Sequence, residues 1–254
     1  MNANFRHRLR AGETLLGTIV TLEAPEVVEA LCHIGYDWLF IETEHAPLAP
    51  PAVQRIVQTA GGTPCIVRLS RGDEISIKRA LDAGAAGIIV PQVNSAAYAR
   101  LIVSYAKFAP QGSRGFGLSR ASMYGLRAEE YVAQANDSTA VIVLAEHVDA
   151  VENIEEICQV DGVDAVFIGP YDLSASLNRI GRVDDREVVE AIDHIRDVCR
   201  KHDVPVGIHG ATPEFVTSRM QDGFTLLSCG ADIAIFAAGA KQLLATLQGA
   251  RSDG

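Results

Sequence analysis

The chain has 254 residues, 48% hydrophobic and 21% charged, enough to bury a large core as either two ordinary domains or one α/β barrel. Lys and Arg total 22 against 32 Asp and Glu, a formal net charge of -10 that opposes nucleic-acid phosphates and anionic membranes, and no local basic patch overrides it. The five cysteines, Cys32, Cys65, Cys158, Cys199 and Cys229, show neither CxxC nor small-scaffold disulfide spacing, the N-terminal MNANFRHRLR lacks an apolar h-region, and no stretch approaches the roughly 20 apolar residues of a spanning helix, so a reducing cytoplasm is the expected setting.

In chain order, short apolar and often β-branched runs alternate with longer helix-period segments. Eight such runs occur, at residues 16–20, 38–41, 64–67, 87–90, 140–144, 165–168, 204–208 and 225–228. Helix starts are marked by Pro25-Glu26 after Ala24, by Pro50-Pro51 and by Thr212-Pro213-Glu214. Gly35, Gly84 and Gly223 follow helical segments, where a left-handed C-cap is needed. The Gly/Ser/Arg-rich stretch 110–125 is the longest irregular segment and reads as a loop, with covering the barrel mouth as one use for it. Nothing resembles an interdomain linker, so residues 1–254 are expected to form one domain.

Eight β/α units predict a (β/α)8 TIM barrel, with a doubly wound open sheet as the competitor. The polar residues decide between them. Glu42 to His45, Arg68, Gln92, Glu146, Asp172 and His209 each follow an apolar run at its C-terminal end. In a barrel these positions converge on one mouth, whereas an open sheet would string them along an edge.

Glu146 and Asp172 end consecutive runs, and two converging carboxylates suit a hard divalent cation such as Mg²⁺ or Mn²⁺. Each also has a plain structural reading, Asp172 as a helix cap and Glu146 as the partner of a neighbouring base. His45, with Glu42 and Glu44 three and one residues before it, suits proton transfer near neutral pH, or is a loop histidine beside solvated acids. Arg68 suits a carboxylate or a developing enolate oxygen, with Arg71 as the solvated alternative. His147 and His209 stay open because both lie at strand ends. The only lysines, Lys78, Lys107, Lys201 and Lys241, fall in or beside helical segments, so no Schiff-base lysine is available at a strand and carbanion chemistry here requires a metal. The Gly112-to-Gly117 segment has the wrong spacing for a nucleotide loop, and small residues at His209-Gly210 and Cys229-Gly230-Ala231 are only weak phosphate signals.

Taken together, Tyr36-Asp37-Trp38-Leu39-Phe40-Ile41 leading to Glu44-His45-Ala46-Pro47, then Val67-Arg68, Leu81-Asp82-Ala83-Gly84, Val90-Pro91-Gln92-Val93, Arg114-Gly115 and residues 162–170 running into Asp172-Leu173-Ser174 form a set over nearly the whole chain. This set resembles the HpcH/HpaI aldolase family, the class II pyruvate aldolases whose archetype is 4-hydroxy-2-oxoheptane-1,7-dioate aldolase. The resemblance implies cleavage or formation of 4-hydroxy-2-oxo acids from pyruvate, or a close 2-oxo acid, and an aldehyde. It implies Glu146 and Asp172 as ligands of Mg²⁺, Mn²⁺ or Co²⁺, His45 in proton transfer, and Arg68 on the substrate and its enolate. Glu42 and Glu44 would orient these groups, and Gly169, Pro170 and Tyr171 would line the substrate pocket. It further implies a homohexamer in which C-terminal helices exchange and Asp82 reaches a neighbour's site; the apolar tail from Ile233 to Leu244 suits a partner surface, or equally its own barrel.

Three departures bear on specificity. Glu42-Thr43-Glu44-His45 replaces Asp-Gly-Glu-His, Leu144 replaces a Gln before the metal glutamate, and Ile19 replaces an aromatic at the rim. They point to a different acceptor aldehyde. Two other readings are an acyl-CoA lyase of the citryl/malyl-CoA type, which needs a basic groove for CoA, and a catalytically silent barrel acting as a binding subunit.

Overall fold

All eight apolar runs become parallel strands of one closed barrel in the order β1 to β8, in a computed structural model that describes residues 3–252. The strands are β1 (Leu15–Val20), β2 (Trp38–Glu42), β3 (Cys65–Arg68), β4 (Gly87–Val90), β5 (Ala140–Ala145), β6 (Ala165–Ile168), β7 (Val206–Gly210) and β8 (Leu226–Ala231). Between them run α1 (Ala3–Arg10), α2 (Pro25–Ile34), α3 (Pro50–Thr59), α4 (Glu74–Asp82), α5 (Ala96–Ala106) and α6 (Ala128–Ser138). The second half carries α7 (Val148–Glu152), α8 (Ile154–Cys158), α9 (Pro170–Ser176), α10 (Arg186–Lys201), α11 (Pro213–Gln221) and α12 (Asp232–Ser252). The proline starts fall where expected, at α2, α3 and α11, and Gly35, Gly84 and Gly223 take φ of 102°, 95° and 94° behind their helices. The seventh strand begins two residues later than its apolar run, because the amide of Val204 still bonds to Cys199 in the turn closing α10.

Alternation along the strands separates two cores. Residues facing outward, among them Val20, Ile41, Val67, Ile88, Val143 and Ile168, pack against the helices. Residues facing inward, including Trp38, Phe40, Ile142, Leu144 and Phe167, fill the barrel. Trp38 and Phe167 fit because glycines stand opposite them. A Cβ on Gly17 would lie 2.6 Å from the Trp38 ring, and one on Gly207 2.5 Å from Phe167. Phe5 and Leu9 of α1 close the N-terminal end of this inner core, both fully buried, while Arg6 pairs at 2.9 Å with the buried Asp164. Neither the helix nor its plugging role was read from the sequence.

Two readings that the sequence leaves open are decided here. The irregular stretch 110–125 does not cover the mouth. It joins α5 to α6 ahead of β5, and its Arg120 bonds to the carbonyls of Ala83 and Val57 near the C-terminal ends of α4 and α3, which places it at the N-terminal end of the barrel. A segment leading into a strand must lie at that strand's start. The tail, secondly, does not pack on its own barrel: beyond its first turn α12 is exposed, leaving Phe236, Leu243 and Leu247 about 70% accessible. Over Asp232–Arg251 it is also long enough, with an 18-residue window of mean hydropathy 1.2, to cross a membrane by length and composition. Looking for an unbroken apolar run missed it, because Lys241, Gln242 and Gln248 punctuate an Ala- and Leu-rich helix.

Candidate active site

The C-terminal ends of β2, β3, β5 and β6 bring Glu42, Arg68, Glu146 and Asp172 together at the mouth. Arg68 is the hub. Its Nη1 reaches Glu42 at 3.3 Å, and its Nη2 lies 2.5 Å from Glu44, 3.3 Å from Glu146 and 3.9 Å from Asp172. One guanidinium thus faces four carboxylates, with the Glu44 contact an ion contact rather than a well-aligned hydrogen bond. Two of the four carboxylates, Glu42 and Glu146, are buried, so Arg68 is the counterion for more negative charge than it can balance.

Glu146 is 1% exposed and is gripped from below: the backbone and side-chain amides of Gln92 donate to its Oε1 at 2.9 and 3.1 Å. Burial pushes its carboxyl up to about 7, against the opposing pull of Arg68 and the Gln92 amide. Gln92 holds φ at 54°, a strained region for a residue with a side chain, and this turns its amide toward Glu146. Gly169 is needed beside them, since a Cβ there would stand 3.0 Å from Glu146 Oε2. Burial also raises the Glu44 carboxyl, with Arg68 opposing.

Asp172 does not cap the helix it was expected to open. It sits in the first turn of α9, whose N-cap is Gly169, and its side chain stays half exposed at the mouth. Glu146 and Asp172 therefore approach the same guanidinium nitrogen, one from a dry wall and one from the rim. Among the described residues no group of three or more His, Cys, Asp or Glu could hold a metal. Two carboxylates with open positions beside them fit Mg²⁺-like ions, which keep water and substrate oxygens in their shell.

The loop after β2 is built by Glu42, whose Oε1 accepts the amides of Glu44 at 2.6 Å and His45 at 3.1 Å. Glu42 thus fixes the backbone that carries His45, while Thr43 ties the loop to the carbonyl of Arg68. The imidazole itself is 66% exposed, 3.8 Å from Glu44 and without a carboxylate hydrogen bond. The acids expected to orient His45 act first on Arg68 and on the loop backbone.

A cavity of about 100 Å³ opens over these groups, walled by Ile19, Phe40, Leu144, Phe167, Gly169, Pro170 and Tyr171. His209 lines it too, its Nδ1 2.9 Å from the Oγ of the buried Ser228. Burial pulls this imidazole down to about 4, so it is neutral at pH 7. A second cavity, about 320 Å³, adjoins it through Pro170, Tyr171 and His209.

Asp82 lies elsewhere. It ends α4 at the N-terminal end of the barrel, where Arg114 donates to it at 2.8 Å. Arg114 is buried, bonds to Tyr131 and stacks on the Phe108 ring at 4.7 Å. The functional neighbours that sequence reasoning passed over are Gln92, noted only as a rim residue, and Ser228. A left-handed Gln92 has no compositional signal, and Ser228 needed β7 and β8 in register, His209 opposite Ser228.

With this geometry in view, the likenesses of the chain are specific. Residues 16–238 match the family model described as HpcH/HpaI aldolase/citrate lyase. The chain is 38% identical over 238 residues to 2-dehydro-3,6-dideoxy-6-sulfogluconate aldolase of Pseudomonas putida, covering 92% of each chain. It is 37% identical over 249 residues to 4-hydroxy-2-oxo-heptane-1,7-dioate aldolase of Klebsiella pneumoniae, covering 96% of this chain and 94% of that one. The crystal structure of an HpcH/HpaI aldolase/citrate lyase family protein from Burkholderia cenocepacia superposes with a TM-score of 0.93 at 31% identity, over 98% of this chain and all of that one. The chain belongs to the HpcH/HpaI aldolase/citrate lyase family and is a carbon–carbon lyase of the aldolase type.

Proposed function

We propose that the chain is a class II aldolase that forms and cleaves 4-hydroxy-2-oxo acids from pyruvate, or a close 2-oxo acid, and an aldehyde. Glu146 and Asp172 would hold a divalent cation, Mg²⁺, Mn²⁺ or Co²⁺. The observation that carries this is their approach to a single Arg68 nitrogen, at 3.3 and 3.9 Å, within a site that has one cation for four carboxylates. Bound there, the cation supplies Lewis acidity toward the carboxylate and keto oxygens of the 2-oxo acid.

The remaining chemistry falls to the chain's own side chains. Arg68 donates to the keto oxygen and offsets the negative charge that grows on it when the C3 proton leaves. Gln92 fixes the carboxylate of Glu146, and Glu42 and Glu44 fix Arg68. His45, on the loop that Glu42 shapes, takes the C3 proton and returns it in the cleavage direction. Ile19, Leu144, Phe40 and Phe167 keep water from the carbanion, Gly169 leaves room for Glu146, and Pro170 and Tyr171 frame the entrance.

Asp82 and α12 belong to the same reading. Asp82 is at the wrong end of its own barrel to join this mouth, so its role is in an adjacent subunit's site, as the family resemblance implies for a hexamer. The exposed apolar side of α12 is read as the surface exchanged with a second copy, not as a membrane span. Residues 1–254 would then act as one unit in the cytoplasm. An acyl-CoA lyase is less well supported, because among the described residues Arg68 is the only permanent cation lining either mouth cavity, and CoA carries several phosphate charges.

The test is exchange of the pyruvate methyl protons in D2O, followed by NMR with and without chelator. Exchange that stops on chelation and returns with Mg²⁺ or Mn²⁺ supports the reading. Well-folded protein that exchanges no protons with any of these ions refutes it.

A further inference from the structure

Two side chains with polar atoms, Tyr171 and His209, line both mouth cavities; Tyr171 is exposed at the rim, and the mechanism above does not use His209. The smaller cavity contains Arg68, Glu146 and Asp172. The larger is walled by Pro170, Tyr171, Val183, Ala211 and Phe215, with Asp184 and Thr212 at its edge. Its lining is mainly apolar, and its single charged residue is an acid.

The N-terminus of α11 also opens here, and a free helix N-terminus attracts anions. This one is partly satisfied by its own chain. Thr212 accepts the amide of Phe215, Pro213 has no N–H to offer, and Glu214 places a carboxylate in the first turn. Asp184 is the only charged residue of the cavity lining, so the cavity offers no cation to a second carboxylate.

We infer that this larger cavity is the acceptor subsite, that it takes the substituent of an uncharged aldehyde, and that His209 hydrogen-bonds a hydroxyl on the carbon next to the aldehyde group. The shared walls set the order of the two reactants: the 2-oxo acid lies against Arg68 and Glu146, and the aldehyde substituent lies beyond His209 over Pro170. Ser228 holds the imidazole through Nδ1, which leaves Nε2 for the substrate. His209 is thus a specificity residue for the acceptor. The inference rests on the aldolase reading above.

The experiment measures kcat and KM for lactaldehyde, propanal and succinic semialdehyde with pyruvate, after methyl-proton exchange has been scored on the same preparation. Lactaldehyde should exceed propanal about fivefold in kcat/KM, as one hydrogen bond of ordinary strength predicts, and exceed succinic semialdehyde more than tenfold. Asp184→Lys, a change at an exposed position, should move the lactaldehyde-to-succinic-semialdehyde ratio at least fivefold toward the anion. His209→Asn, which can keep the Ser228 bond but not the Nε2 reach, should raise KM for lactaldehyde about tenfold with a smaller change in kcat. His209→Gln, which restores that reach, should recover part of the loss. Absence of proton exchange overturns both readings together. Normal exchange with no preference for uncharged acceptors, or an unmoved ratio in Asp184→Lys, overturns this one alone.

Discussion

Arg68 Nη2 stands 3.3 Å from Glu146 Oε2, joining the end of β3 to the end of β5 across the barrel mouth. Removing the arginine leaves Glu42, Glu44 and Glu146 without their shared counterion, and breaking a buried charge cluster from one side typically costs about 3–5 kcal/mol. Arg68→Met should therefore lower the melting temperature of metal-free protein, with part of the loss recovered by millimolar Mg²⁺ through mass action. Aldol activity should fall by at least about a hundredfold even with metal present, since a directed charge is lost at the developing oxyanion. Differential scanning calorimetry with and without Mg²⁺, alongside initial rates, checks both parts.

Glu146 and His209 should give metal-free protein opposed pH dependences. The Glu146 carboxyl is raised to about 7 in the folded state, so the native protein binds the extra proton between roughly 4.5 and 7, and its contribution to stability is lost as pH rises through that window. His209 is lowered to about 4, so the unfolded state binds the extra proton between roughly 4 and 6.5, and stability is lost as pH falls. Each shift corresponds to about 3 kcal/mol at most, and they nearly cancel where they overlap. Chemical denaturation in EDTA from pH 4.5 to 7 should give the parent protein a slope between those of the two single variants. Glu146→Gln should then gain stability with rising pH and His209→Asn should lose it; parallel profiles in all three proteins would contradict the assignment.

The inner core offers a prediction free of charge. Phe5 is fully buried and its ring centroid is 6.2 Å from that of Trp38, so Phe5→Ala opens a cavity at the closed end of the barrel. A cost of about 3–5 kcal/mol is expected, read as a lower urea midpoint with an unchanged slope. The mouth lies at the far end, so KM for pyruvate should move less than twofold.

How far the sequence reached follows from which features are periodic. Runs such as 87–90 and 165–168 are continuously apolar because both of their faces are buried, and this made the eight strands and their parallel order legible. Charged residues placed just after those runs made Arg68, Glu146 and Asp172 legible as one mouth. Partners outside this pattern were not. The Gln92 amide depends on a backbone twist at φ 54°, the His209–Ser228 pair depends on strand register, and α1 was too polar in composition to announce that Phe5 and Leu9 seal the barrel. The 110–125 segment was misplaced because loop composition carries no information about which end of a barrel a loop occupies, whereas its order before β5 does.

Asp82 ends α4 and Glu146 follows β5 at opposite ends of the barrel, and this makes the shared-site reading testable with subunits that are each inactive. Asp82→Asn protein should retain pyruvate-independent Mg²⁺ binding, because Glu146 and Asp172 are intact, yet lose most aldol activity through the site it no longer completes next door. Glu146→Gln protein should lose metal binding in its own mouth while still offering a sound Asp82. After reversible dissociation and remixing, hybrid oligomers contain sites built from intact Glu146 and intact Asp82, and activity should reappear up to a fraction set by random assembly. The same experiment probes α12, whose six exposed apolar side chains, Ile233, Ile235, Phe236, Leu243, Leu244 and Leu247, would each contribute on the order of 1–3 kcal/mol when covered. Phe236→Asp with Leu243→Asp should shift the mass in light scattering toward the monomer and abolish complementation. Complementation that survives in a monomeric species, or none in a stable oligomer, would separate Asp82 from the neighbouring site.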